Sequence, residues 1–487
     1  MSDKILLIPL DSRPVNSELP RKLASIAGCK TARPPLSILG NLRKKADYGS
    51  VRKWLENNLA PDVSAVIVSI DMLAFGGLVH SRKPGITKNE ALEKLFFLRK
   101  IKNEYKCRLL AFNVILRDSI TVADESSFGS WKEQMENRSS SASMLRDRNS
   151  GVNREMIKWA GEGVFDYLLI GKEDTARGNP NGHEYRELET LAGKEGNGRV
   201  SVQAGADELA QLLAARHIVV KQGISPRISV DACDEEPGII PAYEPVEFRV
   251  TIRRQIESAG CLPAGPGNGG DAVIVPVLEK NQRDLFLDQV EHKNQGIRKV
   301  GKVKLEAINS NLKQGKSVGV VDKTQLNGSD RHLVDYLLKE GSFLKLCGYA
   351  GWNTTANSSG TVVAQLAVNL AARTGMAPRR SALVLLERLA EDYVYSCVVR
   401  EKVNGLMDDR FSGCYSYGAG DFSGSEMKKE FDALARKYIV GSEISGPKKN
   451  GVNVLIDGCE IVKAFHPWKR LFEIKTEIRA GFKGSKA

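Results

Sequence analysis

The chain contains no CxxC pair. Its eight cysteines, Cys29, Cys107, Cys233, Cys261, Cys347, Cys397, Cys414 and Cys459, stand singly along 487 residues. That spacing excludes a zinc ribbon or dithiol redox motif and fits reduced thiols in a cytoplasmic protein. The six histidines are far apart, so a histidine-rich metal centre is not expected. The longest apolar runs, such as Ala65–Ile70, are strand-sized, whereas a membrane helix needs roughly 20 apolar residues. Met-Ser-Asp-Lys leads straight into a strand, so neither a secretory leader nor a membrane partner is expected. No G-x-S-x-G nucleophile elbow is present.

Three signatures are imitated but not completed. Gly265-Pro-Gly-Asn-Gly-Gly270 matches GxGxxG, but a strand follows where a dinucleotide site needs a helix. Gly315-Lys316-Ser317 resembles the end of a P-loop, yet its first glycine would fall on Ser310. In His183-Glu184-Tyr-Arg-Glu187 a glutamate stands where a zincin needs its second histidine.

Hydrophobic residues make up 42% and charged residues 27% of the chain, an ordinary globular composition. The length suits about two to four domains. The net charge of +12 comes from 71 basic and 59 acidic residues that are dispersed rather than striped. Nucleic acid is therefore not the expected partner, and a small anionic ligand or a solvated surface accounts for the excess.

Strand-like and helix-like segments alternate to about residue 375. Helical patterns at Asp47–Asn58, Lys88–Tyr105, Arg154–Gly161, Ala206–Gln222 and Ser329–Gly341 sit between strands. This predicts an α/β fold of mainly parallel strands. A (β/α)8-like barrel or close variant is the first expectation, with a smaller C-terminal α+β region. Two successive open doubly wound domains are the alternative. The expected regions are 1–260, 261–380 and 381–487. The polar stretch Asp118–Gly151 reads as a long excursion, and Ser381–Val399 as one long helix. No repeat of solenoid length is evident.

The strands share a feature at their ends. Ile5–Leu10 leads into Asp11 and Arg13, Ala65–Ile70 into Asp71, Tyr167–Gly171 into Glu173 and Asp174, and Val200–Ala204 into Asp207 and Glu208. Ile228–Val230 leads into Asp231, Ala272–Leu278 into Glu279, Val318–Val321 into Asp322, and Leu344–Tyr349 into Gly351-Trp352-Asn353. Ligands of α/β proteins bind at the carboxyl ends of parallel strands. A series of acids, mixed with arginine, tryptophan and amides, predicts one polar pocket, although a single aspartate there often only caps a helix.

The segments divide by chemistry. Asp11, Arg13 and Asn16 place a carboxylate, a guanidinium fork and an amide on one strand end, suited to a polyol or carboxylated ligand or to an ion pair holding a turn. Asp71, His80 and Arg82 surround Gly76-Gly77, glycines that allow close backbone approach or a sharp turn. The alternative makes Asp71 a cap and His80 a core residue. Glu173 and Asp174 supply adjacent carboxylates, which can push one pKa upward for acid catalysis. Asp207 and Glu208 follow, with Asp207 also a fitting N-cap. Asn327 and Asp330 lie after a later strand. Trp352, Asn353 and Asn357 suit a sugar, the indole covering a ring face and the amides bonding hydroxyls.

Together IPLDSRPVN, VSIDMLAFGGLVHSR, FNVILRDS, LLIGKEDTARG, GADELAQLLAAR, NGSD, YAGWNTTANSSGT, ERLAEDYVYSCVVR and HPWKRLFEI resemble a bacterial family known as domain of unknown function 4127. The resemblance covers nearly the whole chain and implies a shared fold and pocket but no reaction. This chain has Asp11-Ser12 and Glu173-Asp174 where the family pattern pairs aspartates.

The residues point first to a carbohydrate-active hydrolase, a glycosidase working through paired carboxylates. Asp174 is the expected acid, Glu173 the group that orients a nucleophile, and Asp71 the reserve. Trp352, Asn353 and Asn357 would hold the sugar, and Arg13, Arg82 and Arg117 an anionic substituent. No cofactor is expected. A Mg²⁺ or Mn²⁺ enzyme using Asp11, Asp71, Asp174 and Asp207 on acidic or phosphorylated small molecules is one alternative. A sugar- or metabolite-binding protein without turnover is another. No sequence feature specifies an oligomeric state.

Overall fold

The computed structural model describes residues 3–117, 143–173, 181–232, 236–265, 269–291, 293, 299–406, 420–445, 453–468 and 470–484. The chain divides into two units. One comprises Met1–Ala24, Cys29–His217 and Tyr243–Val246, the other Ser25–Gly28, Ile218–Ala242 and Glu247–Ala487.

The first unit is wound on β1 (Lys4–Ile8), β2 (Lys30–Ala32), β3 (Val63–Ser69), β4 (Arg108–Ile115), β5 (Tyr167–Lys172) and β6 (Val200–Ala204). Their order is β2-β1-β3-β4-β5-β6, with every neighbouring pair parallel. These runs are rich in Ile, Leu and Val because helices cover a parallel sheet on both faces, leaving no polar alternation to preserve. Leu6, Ile8, Val66, Val68, Leu109, Ala111, Leu168 and Ile170 enter one core on one face.

The second unit is wound on β7 (Arg227–Val230), β8 (Leu262–Ala264), β9 (Ala272–Asp284), β10 (Ser317–Leu326) and β11 (Gly348–Ala350). Its parallel order, read from the β8 edge, is β8-β7-β9-β10-β11. Counted within each unit, both sheets follow second-first-third-fourth-fifth, and the first sheet adds a sixth strand. The same winding therefore occurs twice, a repeat the sequence pattern does not reveal. An antiparallel sheet of β12 (Glu443–Ser445), β13 (Asn453–Phe465) and β14 (Lys475–Gly484) packs with the helix Gly420–Tyr438. This is the expected C-terminal α+β region.

The α/β class and parallel strands are as expected. The closed barrel is not: among the described residues both parallel sheets are open, the architecture of two doubly wound sheets. Eight strand signals fit either solution, because closure depends on strand pairing rather than on the pattern within a strand. The expected helix Ser381–Val399 is α-helical at Ala377–Arg388 and continues as a π-helical run, Leu389–Val399. Thr355–Ala371 was not anticipated as a helix. It is buried almost all round, so it lacks the polar stripe by which a helix is read.

The winding order fixes where a ligand site can lie. From β1 the chain turns to β2 on one side, then returns to β3 on the other. In open sheets the crevice opens at this reversal, outside the carboxyl ends of the two flanking strands. In the first unit those ends lead into Asp11 and Asp71.

Candidate functional site

Arg13 organises the β1 exit. Its Nε donates to Asp11 Oδ2 at 2.9 Å, and Nη2 donates to the same oxygen at 2.8 Å. Nη2 and Nη1 also donate to Asp207 Oδ1 at 2.6 Å and Oδ2 at 3.1 Å. Asn16 Nδ2 donates to both carboxylates at 3.0 Å. Arg13, Asp11 and Asp207 are all buried. Asp207 follows β6, so the fork fastens the first strand exit to the last. Glu208 is also buried, and Gly205 shows why glycine precedes it. At φ +97, a Cβ on Gly205 would lie 2.0 Å from the Glu208 carboxylate.

The β3 exit differs from the capping alternative. Ser69 caps the helix Ile70–Phe75, its Oγ accepting from Met72 N at 3.1 Å. Asp71 is thereby released from capping, and its Oδ2 accepts from Val114 N of β4 at 3.1 Å. Burial, opposed by the Val114 amide and by the charges of Arg82 and Arg148, raises its carboxyl to about 7. Gly76 ends the helix at φ +89, and Gly77 at φ +115 rests on β1, where a Cβ would be 3.3 Å from Leu10 O. The paired glycines thus press the β3 exit onto the β1 exit. His80 is half-buried rather than a core residue, with Nε2 3.1 Å from Asn41 O.

Arg82, in the short turn after Gly77, is in direct contact with Glu173 at the end of β5. Arg117, just beyond β4, reaches the same carboxylate at 3.7 Å. Burial and the neighbouring guanidiniums of Arg117 and Arg13 push the Arg82 pKa down, against the pull of Asp207 and Asp71. Three guanidiniums crowd one buried edge, where Asp11, Asp207 and Glu173 offset their mutual repulsion. Asp11, Arg13, Asn16, Asp71, Arg82, Arg117, Glu173, Asp207 and Glu208 therefore line the exits of β1, β3, β4, β5 and β6 in one unit. Asp174 lies outside the described residues.

A family model described as "Protein of unknown function (DUF4127)" matches residues 5–144 and 140–477. The chain belongs to this family. No curated protein and no solved structure matches it. Among the described residues, no helix is long and apolar enough to cross a membrane. Nor is any group of three or more His, Cys, Asp or Glu side chains there arranged to hold a metal ion.

The remaining expected site residues of this DUF4127 member belong to the second unit. Asn327 and Asn353 both take left-handed backbone conformations, at φ 59 and 48. Asn327 Nδ2 donates to Asp284 at 2.8 Å, and its N–H donates to Asn353 O at 2.9 Å. Asp330 caps the helix Arg331–Lys339 through Leu333 N. Trp352 is half-buried, its indole N–H on Thr361 at 3.3 Å, and Asn357 is buried within Thr355–Ala371. Lys323 Nζ donates to the carbonyls of Gly351 and Asn353, each at 2.9 Å. Burial lowers the Lys323 amine to about 8 and raises the adjacent Asp322 to about 7. This is a densely bonded loop support on a second carboxyl edge.

Sequence reasoning missed the residues behind Asp71. The helix Ser143–Gly161 begins well before the expected Arg154 and brings Arg148 into electrostatic reach of Asp71. Arg148 also donates to Lys83 O at 2.9 Å and Ile86 O at 3.2 Å. Farther along, Asn153 Oδ1 accepts from Asn113 Nδ2 at 2.7 Å. Burial raises the neighbouring Glu184 to about 7 despite Arg146. The available signal was the spacing of Arg148, Asn149 and Asn153 at one, four and five positions, one face of a helix.

Proposed function

We propose that the protein is a carbohydrate-active hydrolase that cleaves an acidic glycoside at the carboxyl edge of its first sheet. The observation that carries this reading is one edge holding a carboxyl raised to about 7, Asp71, together with a carboxylate, Glu173, flanked by Arg82 and Arg117. A protonated and an ionised carboxyl group are the pair that glycoside cleavage uses. Asp71 serves as the proton donor, in place of Asp174. Glu173, paired with Arg82 and Arg117, stabilises positive charge developing at the sugar. Arg82 and Arg117 recognise the anionic substituent, and the Arg13 clasp holds Asp11 and Asp207 in position.

A metabolite-binding role without turnover is the second reading. It is favoured by the engagement of Asp11, Asp207 and Glu173 with arginines, which commits those carboxylates to ion pairs. The test is hydrolysis of aryl glycosiduronides and aryl N-acetylhexosaminides by the wild type and by Asp71→Asn, with and without EDTA. Chelator-resistant turnover that falls at least about 100-fold in the variant supports the hydrolase. Binding of an acidic sugar without turnover selects the binding protein. Turnover abolished by EDTA overturns both in favour of metal chemistry.

A further inference from the structure

A cavity of the first unit is lined by none of the strand-end acids. It has a volume of about 460 Å³ between the loop Lys44–Asp47, Tyr48 and Gly49 at the start of the helix Tyr48–Asn58, the end of the helix Ile70–Phe75, Ile86 and Lys94. That volume accommodates a small organic ligand. Its inner wall is apolar, with Ala46, Leu73 and Phe75 all buried. Three lysines, Lys44, Lys45 and Lys94, stand around it.

Among the described residues none of these three ammonium groups enters an ion pair. Asp47, the acid among the lining residues, accepts from Ser50 N at 3.2 Å and from Ser50 Oγ at 3.0 Å and lies within electrostatic reach of Lys44, so it offsets part of the cluster's positive charge. Lys94 Nζ donates only to a backbone carbonyl, Ala74 O, at 3.3 Å, and lies 5.5 Å from the Tyr48 ring centroid. Burial and then the charge of Lys45 push the Lys94 amine down, with Glu90 opposing. The two ammonium groups thus repel each other across the cavity.

The loop that presents Lys44 and Lys45 is held in place before any ligand arrives. Asn41 N donates to Lys44 O at 2.8 Å, and Asn41 Oδ1 accepts from Arg43 N and Lys44 N, both at 2.9 Å. Ala46 N donates to Gly76 O at 3.1 Å, and Asp47 N to Ile38 O at 3.1 Å. With the loop backbone fixed, ordering on binding is confined to the lysine side chains, which limits the entropy cost. The cavity suits a molecule with an anionic head and an apolar body.

We propose that this cavity binds a small organic anion, a phosphate monoester or carboxylate carried on an aromatic or aliphatic body. The head lies between Lys44, Lys45 and Lys94, and the body rests on the partly exposed side chains of Tyr48 and Ile86. Its lining shares no residue with the strand-end group, and the proposal does not depend on the hydrolase reading.

The test is calorimetric titration of the full chain with phenyl phosphate and with benzoate, against phenol and inorganic phosphate. Wild type is compared with Lys45→Gln, Lys94→Gln and Arg117→Gln, with melting curves confirming that each is folded. The expected result is saturable one-site binding of an aryl anion, with phenol and inorganic phosphate each weaker by about tenfold or more. Each lysine variant should weaken aryl-anion binding about tenfold, and Arg117→Gln should leave it within about twofold. Lys45 is exposed, so its variant remains informative should Lys94→Gln fail to fold. Stronger binding of phenyl phosphate or of benzoate identifies which head the site prefers. Absence of saturable binding, equal binding of phenol, or loss in Arg117→Gln with the lysine variants unchanged would each overturn the proposal.

Discussion

Arg13 and Asp207 are 194 residues apart in sequence, yet Arg13 Nη2 meets Asp207 Oδ1 at 2.6 Å. Their strands, β1 and β6, are four places apart in the sheet order, which in a flat sheet is roughly 19 Å. Twist of the sheet and the two exit loops close that distance, and the guanidinium fork fixes the closure. The carboxyl edge of the first sheet is therefore gathered inward rather than laid out in a row.

Replacing Arg13 by lysine keeps the charge but removes the fork. A lysine cannot donate to Asp11 and Asp207 in the same geometry, so buried carboxylates lose bonds. Arg13→Lys should lower unfolding free energy by about 3 kcal/mol, read from the urea midpoint. An unchanged midpoint would show that the clasp contributes nothing to stability.

Asp71 predicts a pH dependence of definite sign. Its folded-state value of about 7 stands above the ordinary aspartate value of 3.8, so between those values the folded chain holds a proton that the unfolded chain releases. Stability from this group therefore falls as pH rises through that window. Asp71→Asn should match wild type most closely in acid, gain on it as pH rises to about 7 and level off above that, as followed by melting temperature against pH. Under the hydrolase reading, wild-type turnover declines above about pH 7 as the proton donor ionises.

Gly205 allows a sharper steric test. Its positive φ of 97 strains any L side chain, and a would-be Cβ lies 2.0 Å from the buried Glu208 carboxylate, which would have to shift. Gly205→Ala should destabilise by about 2 kcal/mol or more, whereas Gly182→Ala, where a Cβ meets nothing within 4 Å, should cost far less. Equal effects in chemical denaturation would contradict the steric account.

In the second unit, Lys323→Met should loosen the Gly351–Asn353 loop. The change leaves two carbonyls without their 2.9 Å donor and removes the cation beside Asp322. The expected loss is about 3 kcal/mol, together with faster amide exchange at Asn327, whose N–H bonds to Asn353 O. Exchange there at the wild-type rate would mean the lysine does not support the loop.

Sequence patterning carried much of this description, and its gaps have physical causes. Strand ends were legible because unbroken Ile-Leu-Val runs stop abruptly at charged residues, as at Ile8 to Asp11. Which exits would converge was not, because Asp207 meets Arg13 through pairing order that no local pattern contains. The roles within the Asp71 segment shifted for a local reason: Ser69 is the better cap and took that position. The polar face of Ser143–Gly161 was hidden because its polar residues read as a loop until Arg154. The expected sugar-holding group, Trp352 with Asn353 and Asn357, followed the same acid-after-strand rule, and that rule does not distinguish one sheet from another.

The outer strands of the two parallel sheets carry a further meaning. β2, β8 and β11 are each three residues long, and β8 holds Pro263. A long, flat outer strand offers a row of unpaired backbone groups to any passing chain, and short or proline-bearing ones offer almost none. The doubled winding brings four such borders where a closed barrel has none. Trimming three of them nearly to nothing leaves little template for edge-to-edge aggregation.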